Sequence, residues 1–169
     1  MYAQAANDHT RNLTLWNNTI TVNGTSGNNT GVFVQDAGAF ITIAQTRVTV
    51  NGIANNTGIV LHNVNTSIIR LTNISVNDNG TAGVILLGDN IGIVETQSRD
   101  AVIANNSIST RGSYTANSGI RLINFNDTLI ENNNVTVNGS ADIFAVNFRS
   151  SSTGSVKNIR FLNNNVIAN

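Results

Sequence analysis

Residues 56–77 read NTGIVLHNVNTSIIRLTNISVN, and their pattern of apolar residues predicts the fold. Its first and last apolar segments carry pairs at alternate positions, Ile59/Leu61 and Ile74/Val76, and a shorter apolar segment lies between them. A period of two is typical of β-strands and not of helices. One such set of strands cannot bury its apolar face alone. The stretch therefore predicts three short strands that form a core by stacking on copies of themselves.

The same three segments recur about every 24–36 residues along the chain. The first segment of each copy begins with glycine, at Gly31-Val32/Val34, Gly58-Ile59/Leu61, Gly83-Val84/Leu86 and Gly119-Ile120/Leu122, with a degenerate copy at Phe144/Val146. In every copy, the last apolar residue of the second segment stands five positions before the first of the third. This pattern predicts an all-β chain folded as a right-handed parallel β-helix, a three-sided solenoid of about five to six turns with strands about 4.8 Å apart.

Asparagine is the outlier of the composition, with 31 residues in 169. Counting inward and outward faces predicts that one inward column occupies the corner after the second strand: Asn17, Gln45, Leu71, Asn105, Asn132 and Asn163. We interpret this column as a buried ladder of hydrogen-bonded Asn amides. Asn-Gly pairs follow the third strand at Asn23-Gly24, Asn51-Gly52, Asn79-Gly80 and Asn138-Gly139. Their tolerance of positive φ predicts a turn at each.

Length and charge limit the classes of protein to consider. A chain of 169 residues fits one domain, which we predict over residues 11–169 after an N-terminal extension or cap at residues 1–10. We expect a segment of a longer chain, because Asn169 falls inside a predicted third strand.

Nine basic residues balance nine acidic ones, which argues against nucleic acid as a partner. No 18-residue apolar stretch occurs, so no membrane insertion is predicted.

The chain contains no cysteine, which excludes disulfides and thiolate chemistry. Residues 1–10 lack the apolar run of a signal peptide. We nevertheless expect an extracellular, cell-surface or virion protein, with any export signal outside this chain.

Two short motifs carry a resemblance to a known family. The Gly-Ile-x-Leu step at Gly58 and Gly119 and the Ile-x-Asn-Asn-x-Ile step at 103–108 resemble right-handed parallel β-helix repeats of the pectin-lyase-like superfamily, over residues 11–169. That superfamily includes pectate lyases, polygalacturonases, mannuronan epimerase-like proteins and phage tailspikes. The resemblance implies a polysaccharide or glycan partner and a homo-oligomer, a trimer by analogy with elongated members. End-to-end stacking of solenoid ends is the other form of self-association expected. One fold hosts many activities, so no activity follows from it.

In that superfamily the polysaccharide groove follows the strand that begins here with glycine. The predicted outward residues of this strand are Phe33, Val60, Ile85, Arg121 and Ala145, then Gln35, His62, Leu87, Ile123 and Asn147. None is a carboxylate, and the strip is mostly apolar, which favours burial against a partner chain, another domain or sugar rings.

Acidic residues cluster instead at the corner after that strand. The candidate catalytic residues are Asp36, His62, Asp89 and Asp127. Adjacent turns are predicted to bring Asp89 and Asp127 about 5 Å apart, the separation of a retaining carboxylate pair. A predicted loop, Gly88 to Asp100, adds Glu95, Arg99 and Asp100 beside this corner. Arg121 and Arg149 are predicted to bind a substrate carboxylate, and Phe33 and Tyr114 to contact sugar rings. Simple turn formation by Asp is the alternative interpretation.

Two functions stay open from the sequence. The favoured one is a structural or carbohydrate-interacting solenoid module; the alternative is a polysaccharide lyase, hydrolase or epimerase that acts on a uronic-acid polymer at the acidic corner. No cofactor is predicted, and neither Ca²⁺ nor another metal is indicated by ligand spacing. Ice binding is disfavoured, because the threonines at Thr19, Thr21 and Thr42 are not matched on successive turns of the predicted repeat.

Overall fold

The chain forms three parallel β-sheets of six strands each that enclose one core. The computed structural model describes residues 2–4, 12–25, 28–35, 40–53, 55–78, 90–97, 99–112, 117–139, 142–150 and 156–169. The first sheet contains β1 (Tyr2–Gln4), β4 (Asn29–Gln35), β7 (Asn56–His62), β10 (Asn90–Thr96), β13 (Asn117–Ile123) and β16 (Ile143–Arg149). The second contains β2 (Leu13–Trp16), β5 (Ile41–Ala44), β8 (Ser67–Arg70), β11 (Ala101–Ala104), β14 (Asn126–Glu131) and β17 (Lys157–Leu162). The third contains β3 (Thr19–Asn23), β6 (Arg47–Gly52), β9 (Asn73–Asp78), β12 (Ser107–Gly112), β15 (Asn134–Gly139) and β18 (Asn165–Ala168).

The strands β2 to β16 make five complete turns, because the chain visits the second, third and first sheets in that order each time. Each strand inside a sheet pairs in parallel with the strands one turn before and after it, and each edge strand pairs on one side. The predicted all-β, three-sided parallel solenoid is therefore confirmed.

The core consists of stacked aliphatic columns, one or two per sheet. Inward positions at equal register are almost fully buried, as in Val32, Ile59, Ile93 and Ile120 of the first sheet, Ile43, Ile69, Ile103 and Ile130 of the second, and Val48, Ile74, Ile108 and Val135 of the third. β-branched side chains suit this surface, since they pack well on neighbouring strands. The five-residue step between the second and third segments is confirmed.

Two first-sheet segments differ from the prediction. On the third turn the strand is β10, and Ile93 pairs with Ile59 and Ile120, so Gly92 occupies the place predicted for Gly83, which lies outside the described residues. In β16 the inward pair is Val146 and Phe148, not Phe144 and Val146, because Val146 is in register with Ile120.

The predicted column at the corner after the second strand is wrong by one residue. The residues predicted to point inward are exposed, and Leu71 keeps 52% of its surface accessible. All six have positive φ, between 51° and 56°. A residue in this conformation breaks the alternation of a strand, so the next residue points inward instead. The buried column is therefore Thr46, Thr72, Asn106 and Asn133, and it continues to the half-buried Asn164.

An amide ladder does run along this corrected column, as predicted. Asn106 Nδ2 donates to Asn133 Oδ1 at 2.9 Å, and Asn133 Nδ2 donates to Asn164 Oδ1 at 2.9 Å. Each Oδ1 also accepts a backbone N–H of the preceding turn, from Thr72, Asn106 and Asn133 in succession. The ladder thus satisfies backbone groups that the corner leaves without a strand partner.

A second buried Asn column, which the sequence analysis missed, stands at the start of the first sheet. Asn29, Asn56 and Asn117 are at most 7% exposed, and Asn29 Nδ2 donates to Asn56 Oδ1 at 2.9 Å. This column explains the Asn-Gly pairs. A Cβ on Gly52 would collide with Asn29 Nδ2, and one on Gly139 would collide with Asn117 Nδ2. Among the described pairs, glycine is therefore present for space and not for the positive φ predicted.

The exposed leucine at the corner gives a first testable prediction. Leu71 has φ 52°, a conformation that costs a side chain other than Gly, Asn or Asp about 1–2 kcal/mol. We expect Leu71→Asn to raise the free energy of unfolding by about 1 kcal/mol in urea denaturation, without a change in slope. Leu162→Asn is the control, since Leu162 is also exposed but lacks positive φ, and it should give no gain. An unchanged midpoint for Leu71→Asn would contradict the assignment of strain.

Candidate functional site

The residues predicted for the acidic corner are only partly within the described chain. Asp36 and Asp89 lie outside it, so their predicted roles stay predictions. Asp89 directly precedes β10, whereas the prediction needed it to follow the glycine strand of its turn. The predicted 5 Å approach of Asp89 to Asp127 therefore loses the alignment on which it rested.

His62 and Asp127 lie on different sheets, two turns apart along the solenoid. His62 is half-buried at the end of β7, and its Nδ1 lies 2.5 Å from Thr96 Oγ1 of the next turn. Asp127 is exposed near the start of β14, and its Oδ1 accepts a hydrogen bond from Asn158 Nδ2 at 2.7 Å. Neither partner is a group that takes part in acid–base chemistry at neutral pH. The two side chains do not form one reaction centre.

Asp100, which the sequence analysis placed beside this corner, is the carboxylate that the fold aligns with Asp127 in place of Asp89. Val102 pairs with Leu129, so Asp100 and Asp127 occupy the same column on adjacent turns, about 4.8 Å apart at the backbone. Both are exposed and have positive φ, 52° and 54°. Asp accepts this conformation readily, and the turn geometry alone explains both residues. Within the described chain no group of three or more His, Cys, Asp or Glu side chains comes together.

The predicted substrate-binding residues are spread over the first sheet. Arg121 is only 8% exposed, and its Nη2 donates to Ser118 Oγ at 3.1 Å, so the guanidinium lies along its own strand. Arg149 is exposed on β16 beside Ile123, and Phe33 is half-buried on β4. Tyr114 lies outside the described residues. The two arginines occupy neighbouring outward columns on adjacent strands, β13 and β16.

The outward columns of the first sheet differ from the prediction in four positions. The columns are Phe33, Val60, Val94, Arg121 and Asn147, followed by Gln35, His62, Thr96, Ile123 and Arg149. Val94 and Thr96 thus stand at the positions predicted for Ile85 and Leu87. Asn147 and Arg149 stand at the positions predicted for Ala145 and Asn147.

The predicted loop from Gly88 to Asp100 is also wrong, because residues 90–96 form β10. Glu95 belongs to that strand.

The third sheet carries the most regular polar surface of the described chain. Its middle outward column consists of hydroxyl side chains in register on five successive strands: Thr21, Thr49, Ser75, Ser109 and Thr136. The column toward the strand ends is Asn23, Asn51, Asn77, Arg111 and Asn138, and the column toward the strand starts is Thr19, Arg47, Asn73, Ser107 and Asn134. We call these three columns the polar face. It contains two arginines and no carboxylate.

Hydrogen bonds between turns fix the amides of the polar face. Asn77 Nδ2 donates to Asn51 Oδ1 at 3.0 Å, and Asn51 Nδ2 donates to Asn23 Oδ1 at 2.9 Å. Asn77 Nδ2 also donates to Ser75 Oγ at 3.2 Å, which links the amide column to the hydroxyl column. Ordered side chains lose less conformational entropy when a ligand binds than mobile ones do.

Sequence reasoning missed the polar face because it did not align the hydroxyls of successive third strands. The expectation that threonines are unmatched between turns is wrong for Thr21, which pairs with Thr49, and for Thr42, which pairs with Thr14 on the second sheet. A full Thr-x-Thr array is nevertheless absent from the described strands, since Arg47 and Asn73 follow Thr19 in the neighbouring column. The signal was present as the alternation of apolar and hydroxyl residues in each third segment.

Comparison with known proteins adds no assignment. No protein-family model matches this chain, and no curated protein or solved structure matches it. Among the described residues, no helix is long and apolar enough to cross a membrane. The order of the strands in the three sheets establishes the fold as a three-sided parallel β-solenoid, and the polar face is its candidate site.

Proposed function

We propose that this chain is a non-catalytic, carbohydrate-interacting solenoid module of a secreted, cell-surface or phage-tail-type protein. The observation that carries the proposal is the register of hydroxyl and amide columns on the polar face. Sugar hydroxyls donate and accept hydrogen bonds, and Ser, Thr and Asn side chains do the same. A row that repeats about every 4.8 Å offers the same partners at successive points of an extended polymer.

The positive charge of the polar face adds acidic polysaccharides to the neutral ones as candidate ligands. Arg47 and Arg111 are exposed on the polar face, and no outward carboxylate of the described third strands opposes them. Arginine pairs well with carboxylates such as those of uronic acids. The resemblance to the pectin-lyase-like superfamily supports a polysaccharide partner by analogy of fold.

We favour binding over turnover because the described members of the acidic corner do not converge. His62 and Asp127 contact Thr96 and Asn158 respectively and lie two turns apart. A lyase, hydrolase or epimerase is the alternative that the following experiment separates from binding.

The test is a depletion assay with polygalacturonate, alginate and neutral mannan, in which bound protein, chain length and ultraviolet absorbance are all followed. We expect reversible binding to at least one polymer with no shortened chains and no unsaturated ends. The triple variant T49V/S75A/S109A removes three hydroxyls from the polar face and should weaken binding at least tenfold, a loss of about 1.4 kcal/mol, because each lost hydrogen bond contributes about 0.5–1.5 kcal/mol.

The control variant T14V/T42V removes outward hydroxyls from the second sheet and should bind as the native chain does. Shortened polymer or new unsaturated ends would replace the proposal with an enzyme, and D127N would then be the first variant to assay. Equal binding by the triple variant and the native chain would remove the polar face from the proposal. Lack of binding to every polymer would contradict the carbohydrate function itself.

A further inference from the structure

The second sheet has an outward surface of the opposite character to the polar face. Its outward columns are Thr14, Thr42, Ile68, Val102, Leu129 and Arg160, and Trp16, Ala44, Arg70, Ala104, Glu131 and Leu162. Ile68, Val102 and Leu129 form a half-buried apolar column on three successive strands. Trp16 and Phe40, at the edge of the same surface, keep 51% and 58% of their area exposed. Contiguous apolar surface of this kind is typical of protein interaction sites.

Two charged residues are placed symmetrically on this surface. Arg70 on β8 and Glu131 on β14 stand in one column, on either side of Ala104 on β11. A two-fold axis parallel to the strands and above β11 exchanges the positions of β8 and β14. Under that axis Arg70 faces the partner's Glu131, Glu131 faces the partner's Arg70, and Ile68 faces the partner's Leu129. Val102 meets its own copy at the centre.

We propose that the second sheet is the interface of a homodimer, in which two copies of this chain pack face to face with antiparallel solenoid axes. Self-complementarity of both the apolar column and the charges favours a second copy over an unrelated partner, since an isologous interface requires that each contact occur twice. The surface is small. Under this axis five strands of about four residues face the partner, because β2 has no counterpart, and they cover roughly 300 Å² per partner, less than half of a standard interface. The dimer is therefore weak, and association is to be measured at high micromolar concentration.

Sedimentation equilibrium of three forms tests the interface. The native chain should show reversible monomer–dimer association. Arg70→Glu places two like-charged pairs in the interface, and so does Glu131→Arg, so each single variant should associate at least tenfold more weakly. A 1:1 mixture of the two variants should associate again. In the mixed dimer the two substituted side chains carry opposite charges and face each other, and the other pair is the native Arg70–Glu131 pair.

The mixture separates an intermolecular pair from an effect within one chain, which mixing cannot repair. Arg149→Glu, on the exposed first sheet, is the control for net charge and should associate like the native chain. A native chain that stays monomeric over the whole concentration range would overturn the proposal. Single variants that associate as strongly as the native chain, or a mixture that stays monomeric, would overturn it equally.

Discussion

Replacing Gly58 by alanine is expected to lower the free energy of unfolding by about 3 kcal/mol, the upper part of the range for overpacked interiors. A Cβ at Gly58 would stand 2.6 Å from the carbonyl oxygen of Gly92 and 2.5 Å from Ile74 Cγ2. The Gly92 carbonyl oxygen is a backbone atom, so it cannot rotate away from the added Cβ. Glycine-to-alanine changes usually stabilise a chain by reducing the entropy of the unfolded state. At Gly58 alanine is expected to destabilise the chain instead, because the backbone of the next turn lies too close.

The measurement is chemical denaturation of Gly58→Ala beside a matched change in the same column. Gly31, Gly58, Gly92 and Gly119 each face the carbonyl oxygen of the next residue in the column, which is Ala145 after Gly119. Ala145 lies on β16, the edge strand of the described sheet, where no further strand approaches. Ala145→Gly should therefore cost at most about 1 kcal/mol, the ordinary cost of glycine in a strand. Similar losses for both variants would refute the steric argument.

Asn133→Ala is expected to lower the free energy of unfolding by about 3 kcal/mol or more. The Asn133 side chain is buried and makes four hydrogen bonds, to the backbone of Asn106 and Ile103 and to the amides of Asn106 and Asn164. Alanine removes all four and leaves a buried donor, the Asn106 N–H, without its acceptor. Such a group costs about 1–3 kcal/mol.

Two further variants make the Asn133 result specific. Asn165→Ala removes an exposed amide that donates one bond to Asn134, and it should change stability by less than about 0.5 kcal/mol. Asn133→Thr should lie between the native chain and the alanine variant. Thr46 and Thr72 already occupy this column on other turns and donate to the carbonyls of Ala44 and Arg70. Equal stability of Asn133→Ala and Asn165→Ala would show that the ladder is not stabilising.

The repeat itself could be predicted because the spacing of apolar residues along a sequence directly reflects the period of the strands that they form. Alternating apolar residues identify strands, and the constant five-residue step fixes the corner between the second and third strands. The prediction of the third-turn strand failed because Gly83-Val84/Leu86 matches the apolar pattern better than the true strand does. The true strand, β10, carries Glu95 at the register position of Leu61 and Leu122. A better signal was the asparagine two residues before each true glycine, at Asn29, Asn56, Asn90 and Asn117. Counting apolar residues does not detect this position, although Asn29, Asn56 and Asn117 form a buried column there.

The errors at the corner and at the site have related causes. The alternation of faces was carried through Asn105 and Asn132 as though they were extended, but positive φ reverses the face at that residue. The acidic corner relied on the alignment of Asp89 with Asp127, and that alignment followed from the misplaced third-turn strand. The polar face was missed for another reason: the third strands were located correctly, but the hydroxyl side chains of successive third strands were not aligned with one another.

The glycine column, finally, bears on how such a chain can change its length. Along the column glycine rests against glycine, just as isoleucine rests against isoleucine in the core and asparagine against asparagine in the ladders. A gene duplication that copies one whole coil would supply a layer whose neighbours on both sides are already of the right kind. A single inserted residue within a strand would instead shift every later layer out of alignment. Growth by whole coils is therefore the tolerated path, with irregular lengths confined to connections between strands, which differ between residues 63–66 after β7 and residues 124–125 after β13.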